Sequence, residues 1–96
     1  MRKAMAAAIG LASIAAAVVA SAEPPAGAAS CSGCHPASTR VTSPVPRLVG
    51  LDRIAIVRAM QDFRSGQRAA TVMDRIAKGF TDEEIQAIAA WYATQR

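Results

Sequence analysis

The sequence predicts a small all-α domain of about four short helices, and three observations lead to it. No stretch alternates apolar and polar residues in the way a half-buried strand does. Two segments, Asp52 to Ser65 and Thr81 to the end of the chain, open on capping residues and carry apolar side chains at helical spacing. The rest is either small and alanine-rich or broken by proline and glycine.

The first 22 of the 96 residues read as an address rather than as fold. Arg2 and Lys3 give a positive start, Ala4 to Ala20 carry no charge, and Ala20-Ser21-Ala22 is a small-x-small triplet suited to signal peptidase. Retention as a membrane anchor is the competing reading. The run is short for a span, rich in alanine rather than leucine, and lacks stop-transfer flanks. Cleavage after Ala22 takes 22 residues from 96 and leaves 74, Glu23 to Arg96, as one domain. A domain of that size buries too little apolar surface to be comfortable without a disulfide, a metal or a cofactor.

Processing also changes the charge. The formal net of +4 includes Arg2 and Lys3, so residues 23–96 carry +2, from nine basic residues and seven acids. Basic and acidic residues alternate, and no Lys/Arg stripe with interleaved aromatics appears, which excludes a nucleic-acid footprint.

Along residues 23–96, Glu23-Pro24-Pro25 is a stiff lead-in and Ala26 to Cys34 suits a short helix, which His35-Pro36 ends because a residue before proline is pushed out of the α region. Ala37 to Gly50, with Pro44 and Pro46, is a structured loop. Asp52 to Ser65 is the first strong helix, with Asp52 as N-cap, Gly66 as stop, and Ile54, Val57, Met60 and Phe63 as its apolar face. Gln67 to Val72 is a loop, and Met73 opens a helical turn through Ile76 that Gly79 ends. Thr81-Asp82-Glu83-Glu84 forms a capping box whose three acids suit the positive end of the helix dipole. Ile85, Ile88, Ala89 and Tyr92 continue as a buried stripe with Trp91 at its margin.

Cys31-Ser32-Gly33-Cys34-His35 carries the chemistry. A C-x-x-C-H run is the attachment site of c-type haem. On one helical turn the two thiols reach the two vinyl groups of the porphyrin as thioethers, and the adjoining His35 offers an imidazole nitrogen as proximal iron ligand. The haem is then the staple that so small a domain needs, and the fold becomes four short helices around one covalent haem. Its two propionates bring the total charge to about neutral. The other readings of the motif fit poorly. A thioredoxin-like pair needs a β-sheet to hold it. A structural zinc site needs four ligands, and only two cysteines and one histidine are present. A disulfide across two residues would close too small a loop to stabilise much.

A methionine sulfur is the usual sixth ligand of electron-transfer haems of this type. Met73, on a downstream loop, is the expected distal ligand, whereas Met60 sits mid-helix in an apolar stripe and reads as core. If both are core, the iron keeps an open sixth position. Metal-bound histidines donate their second ring N–H to an acceptor. The Pro46 carbonyl is the candidate, with Pro44 as the alternative, and Leu48 is a candidate for packing on the ring.

On these residues the chain resembles a class I cytochrome c: a helix ending in C-x-x-C-H, a P-x-L loop, a methionine loop and an amphipathic C-terminal helix with aromatics. The resemblance implies terminal helices that cross at close quarters, with Gly27, Ala28 and Ala29 against Ile88, Trp91 and Tyr92. A narrower match runs through Phe63-Arg64-Ser65-Gly66 and Thr71-Val72-Met73-Asp74-Arg75-Ile76-Ala77-Lys78-Gly79-Phe80. It is similar to the cytochrome subunit of flavocytochrome c sulfide dehydrogenase, in which the corresponding methionine binds iron. That resemblance implies Met73 as axial ligand, a periplasmic location, and an FAD-containing subunit that oxidises sulfide or a related sulfur compound and passes electrons to this haem. Two departures are visible: Pro36 follows His35 where glycine is commoner, and the loop before Pro46 is slightly contracted. The expected function is one-electron transfer by a monohaem c-type cytochrome that is not catalytic alone. The alternatives are a freely diffusing class I shuttle and a ligand-binding haem sensor with an open sixth site.

Overall fold

The computed structural model describes residues 3–15 and 23–96. Residues 3–15 are exposed and form no helix, and the expected cleavage triplet Ala20-Ser21-Ala22 lies outside the described residues. Among the described residues no helix is long and apolar enough to cross a membrane. The described chain forms four helices and no strand: α1 (Ala28–Cys31), α2 (Arg53–Ser65), α3 (Met73–Ala77) and α4 (Asp82–Thr94).

α1 is shorter than the stretch from Ala26 to Cys34 because Gly27, at φ +86°, bends the chain into it. Past Cys31 the backbone keeps turning. Cys34 N–H and His35 N–H both donate to Cys31 O, at 3.2 and 2.9 Å, so the whole C-x-x-C-H run lies on one coil.

α2 begins where expected, with the Asp52 carboxylate accepting from Ala55 N–H at 3.0 Å, and ends at Gly66, whose φ of +81° is the left-handed stop. Its face differs from the expected one. Ile54 is 63% exposed, and Ile56 and Val57 are the buried residues. Spacing by threes slips about 60° per step on a helix that advances about 100° per residue, so Ile54 and Phe63 fall on opposite sides. α3 is a single short helix in which Val72 O accepts from Arg75 N–H and Ile76 N–H. α4 opens on the full capping box: Glu84 N–H donates to the Thr81 hydroxyl at 3.1 Å, and Thr81 N–H to the Glu84 carboxylate at 3.0 Å. Those hydrogen bonds hold the Glu84 carboxyl below the usual carboxylate range.

The core gathers Ala28, Ile56, Val57, Ile85, Ile88, Ala89 and Tyr92, with Leu48, Val49, Met60, Phe80 and Trp91 packed at its edge. Ala28 and Ala89 are fully buried because small residues let α1 approach α4 closely. The Tyr92 hydroxyl donates to Ala28 O at 2.6 Å and ties the two ends of the domain together. Burial pushes the Tyr92 phenol above its ordinary range, with a smaller contribution from Cys31. The Gly27 backbone lies against Phe80 and Ile88, Trp91 is partly buried, and Ala29 is exposed beside Trp91 and Tyr92. Gly50 N–H donates to Tyr92 O at 3.0 Å, so the 37–50 loop ends on α4. At the other end, Arg64 reaches from α2 to the Asp82 carboxylate and to Phe80 O, clasping the start of α4.

Candidate functional site

A cleft of about 1020 Å³ opens between α1, the 45–51 segment, α2 and the 68–76 segment. Cys31, Cys34 and His35 line it on one side, Met73 lines it from the 68–76 segment, and Pro46 and Leu48 lie on its wall. The local sequence explains each position. The coil through residues 31–35 displays both sulfurs and the imidazole within one turn, and Gly66 ends α2 so that the following chain can return along the cleft to Met73.

The imidazole is held by its own hydrogen bond. His35 Nδ1 lies 2.6 Å from Pro46 O. A carbonyl only accepts, so Nδ1 carries the proton and Nε2 keeps its lone pair for a metal. A second contact runs beside the first: Arg47 Nε–H donates to Ala37 O at 2.9 Å.

Cys31 and Cys34 are not joined to each other. Cys31 is half-buried, its Sγ–H donates to Gly27 O, and burial pushes its thiol above the ordinary range. A thiol held protonated is a poor nucleophile for disulfide exchange, which counts against the thiol-redox reading. Among the described residues no group of three His, Cys, Asp or Glu side chains that could hold a metal ion is found. The cleft is large for a small-molecule site, at the upper limit of the ~300–1,000 Å³ typical of such pockets. Its walls are mostly aliphatic, and the donor set is two thiols, one imidazole and thioether sulfur. Size, polarity and donors together fit a haem.

Sequence reasoning named six of the lining residues as site residues: Cys31, Cys34, His35, Pro46, Leu48 and Met73. It missed Ala55, Ala59, Ala69, Ala70, Val45 and Leu51, whose small or apolar side chains bear no motif. Met60, expected as core, is partly buried against the core and also lines the cleft, so both methionines of residues 23–96 face the same space. Arg68 is the one permanently charged lining residue, its guanidinium 5.5 Å from the centre of the Phe63 ring.

No family model matches the chain. Over 63 residues, 66% of its length, it is 43% identical to the cytochrome subunit of sulfide dehydrogenase of Chlorobaculum tepidum and covers 57% of that protein. Over 65 residues, also 66%, it is 38% identical to a thiosulfate dehydrogenase electron acceptor of Stutzerimonas stutzeri, of which it covers 30%. Over 69 residues, 68% of its length, it is 33% identical to cytochrome c-554(548) of Halomonas halodenitrificans and covers 83% of that relative. The chain thus spans well under two thirds of the first two proteins and most of the third.

Proposed function

Because this chain belongs to the class I cytochromes c, we propose that it is a monohaem electron carrier of the periplasm, exported by residues 1–22 and working as the 23–96 domain. The single observation that carries the reading is that Cys31, Cys34, His35 and Met73 line one apolar cleft. In this reading Cys31 and Cys34 hold the haem through thioethers, His35 is the proximal ligand and Met73 the distal one. Haem bound there supplies one-electron exchange between ferrous and ferric iron. The protein's own part is positional. Pro46 O fixes the tautomer and plane of His35. The aliphatic wall from α2 and α4 keeps water from the iron and lowers the local dielectric. Leu48 lines the same cleft as Pro46, which supports the reading that it packs beside the ring.

The electron donor in this proposal is an FAD-containing dehydrogenase of sulfide or a related sulfur compound. Support comes from the segment Thr71 to Phe80 and from the names of two relatives, a sulfide dehydrogenase subunit and a thiosulfate dehydrogenase acceptor. The chain itself then performs no bond-making step.

The test is expression of the full chain in cells equipped for cytochrome maturation. The secreted protein stains for haem after denaturing electrophoresis and shows the weak near-infrared Met–iron band. Met73→Ala removes that band and Met60→Ala keeps it. A colourless product refutes the haem reading, and loss of the band in Met60→Ala alone moves the distal ligand to Met60. Gentle isolation from the native cell tests the partner: a haem protein eluting without flavin absorbance refutes the subunit role.

A further inference from the structure

Two contacts tie the same stretch of chain to itself. His35 and Pro46, 11 residues apart, meet through Nδ1–H and a carbonyl, and Ala37 and Arg47, 10 apart, meet through a carbonyl and Nε–H. The second rung lies two residues beyond His35 on one side and one residue beyond Pro46 on the other. Between the rungs the chain has little freedom, because Pro36 and Pro46 fix their φ angles. Residues 38–44 are mostly exposed, and Val45, which lines the cleft, donates its N–H to the nearby Ser43 hydroxyl. Without the Arg47 rung, the Pro46 carbonyl would be held against His35 by a long exposed loop whose closure costs chain entropy.

We propose that Arg47 is a positioning residue for the axial histidine. Its Nε–H bond to Ala37 O fixes the Pro46 carbonyl against His35 Nδ1 and so sets how strongly the imidazole donates through Nε2. The inference rests on the haem reading above. An imidazole whose second N–H is firmly hydrogen-bonded is a more basic ligand. A more basic ligand stabilises ferric over ferrous iron and lowers the reduction potential. Arg47 is half-buried and does not line the cleft, so its contact with the site runs through this ladder, and its charge is the effect the test must separate.

The chemistry of the side chain supplies the test. Glutamine places its amide nitrogen at the same number of bonds from Cα as arginine Nε, without the charge, and methionine places a methyl group there. Full-length wild type, Arg47→Gln and Arg47→Met are matured with haem and compared by reduction potential and by hydrogen exchange of His35 Nδ1–H in the ferrous state. The expected result is a wild-type-like Arg47→Gln, and an Arg47→Met with a higher potential and Nδ1–H exchange roughly tenfold faster, the scale of one hydrogen bond's net worth. Equal shifts in both variants would assign the effect to charge and overturn the proposal. So would unchanged potential and exchange in Arg47→Met, even with a lower melting temperature. If Arg47→Met does not accumulate, Arg47→Lys replaces it, keeping the charge without an N–H at the ε position. Support then requires glutamine to match wild type and lysine to deviate, and any other order overturns the role. A wild type without haem, scored before any variant, would refute the proposed function and the positioning role with it.

Discussion

Replacing Gly27 with alanine loads two separate strains onto one methyl group. The first is conformational: φ is +86°, where a side-chain-bearing residue costs about 1–2 kcal/mol. The second is steric: a Cβ built on this backbone meets a Phe80 ring carbon at 2.5 Å and Ile88 Cδ1 at 3.5 Å. Forcing a methyl into such a space costs about 1–3 kcal/mol. Together the change removes about 2–5 kcal/mol, against the ~5–15 kcal/mol that holds a domain. At ~4–8 °C per kcal/mol for a domain of this size, the melting temperature falls by about 10 °C or more. The assay is thermal unfolding of the haem-loaded protein followed by circular dichroism, with Phe80→Ala and the double variant completing a cycle. In the Phe80→Ala background the steric part vanishes, and Gly27→Ala costs only the conformational ~1–2 kcal/mol. A single-variant loss under ~1 kcal/mol, or equal losses in both backgrounds, refutes the close approach of the α1 entrance to Phe80.

Tyr92→Phe removes the hydroxyl that reaches Ala28 O at 2.6 Å and lowers stability by about 1 kcal/mol, measured by denaturant unfolding with haem retention checked by staining. The raised Tyr92 pKa makes a second, pH-dependent prediction. The folded state holds its proton more tightly, so this contribution is fully present below the ordinary value of 10.0 and is lost as pH rises above it. Tyr92→Phe therefore flattens the alkaline limb of the stability curve. Glu84 behaves in the opposite sense: its pKa is lowered by the Thr81 bonds, so its contribution is present above the ordinary 4.5 and fades as pH falls below it. Glu84→Gln removes that acid dependence, and an acid limb identical to wild type would count against the capping carboxylate. Gly66→Ala forces a side chain into the left-handed stop of α2 and costs about 1–2 kcal/mol, read from the same unfolding curves.

The parts legible in the sequence were those written in local chemistry. Asp52, Gly66 and the Thr81–Glu84 box mark helix ends with residues whose side chains or backbones satisfy neighbouring groups, and the structure uses each of them so. The α4 stripe was legible because Ile85, Ile88, Ala89 and Tyr92 keep to one face over two turns. The α2 face was misread at Ile54, because a strict spacing of three rotates around the helix and only tertiary packing decides which sector is covered. Much of the cleft wall was silent for a related reason. Ala55, Ala59, Ala69 and Ala70 matter by being small, and smallness acquires meaning only when another element lies opposite. The Arg47–Ala37 contact was equally silent, since it joins a side chain to a backbone carbonyl and leaves no pattern in residue types.

The Arg64 clasp closes the segment after α2 into a loop that also packs back on α2. One guanidinium holds Phe80 O and the Asp82 carboxylate, 16 and 18 residues further along, so the chain bearing Met73 is a strap buckled at both ends. The buckle is wet: its two side chains are 31% and 71% exposed. An ion pair in that setting contributes at most ~1 kcal/mol and weakens as salt screens it. Salt therefore loosens the link to Asp82 first, while the Phe80 O bond, the buried Ala77 and the packing of α3 on α2 hold the strap in place.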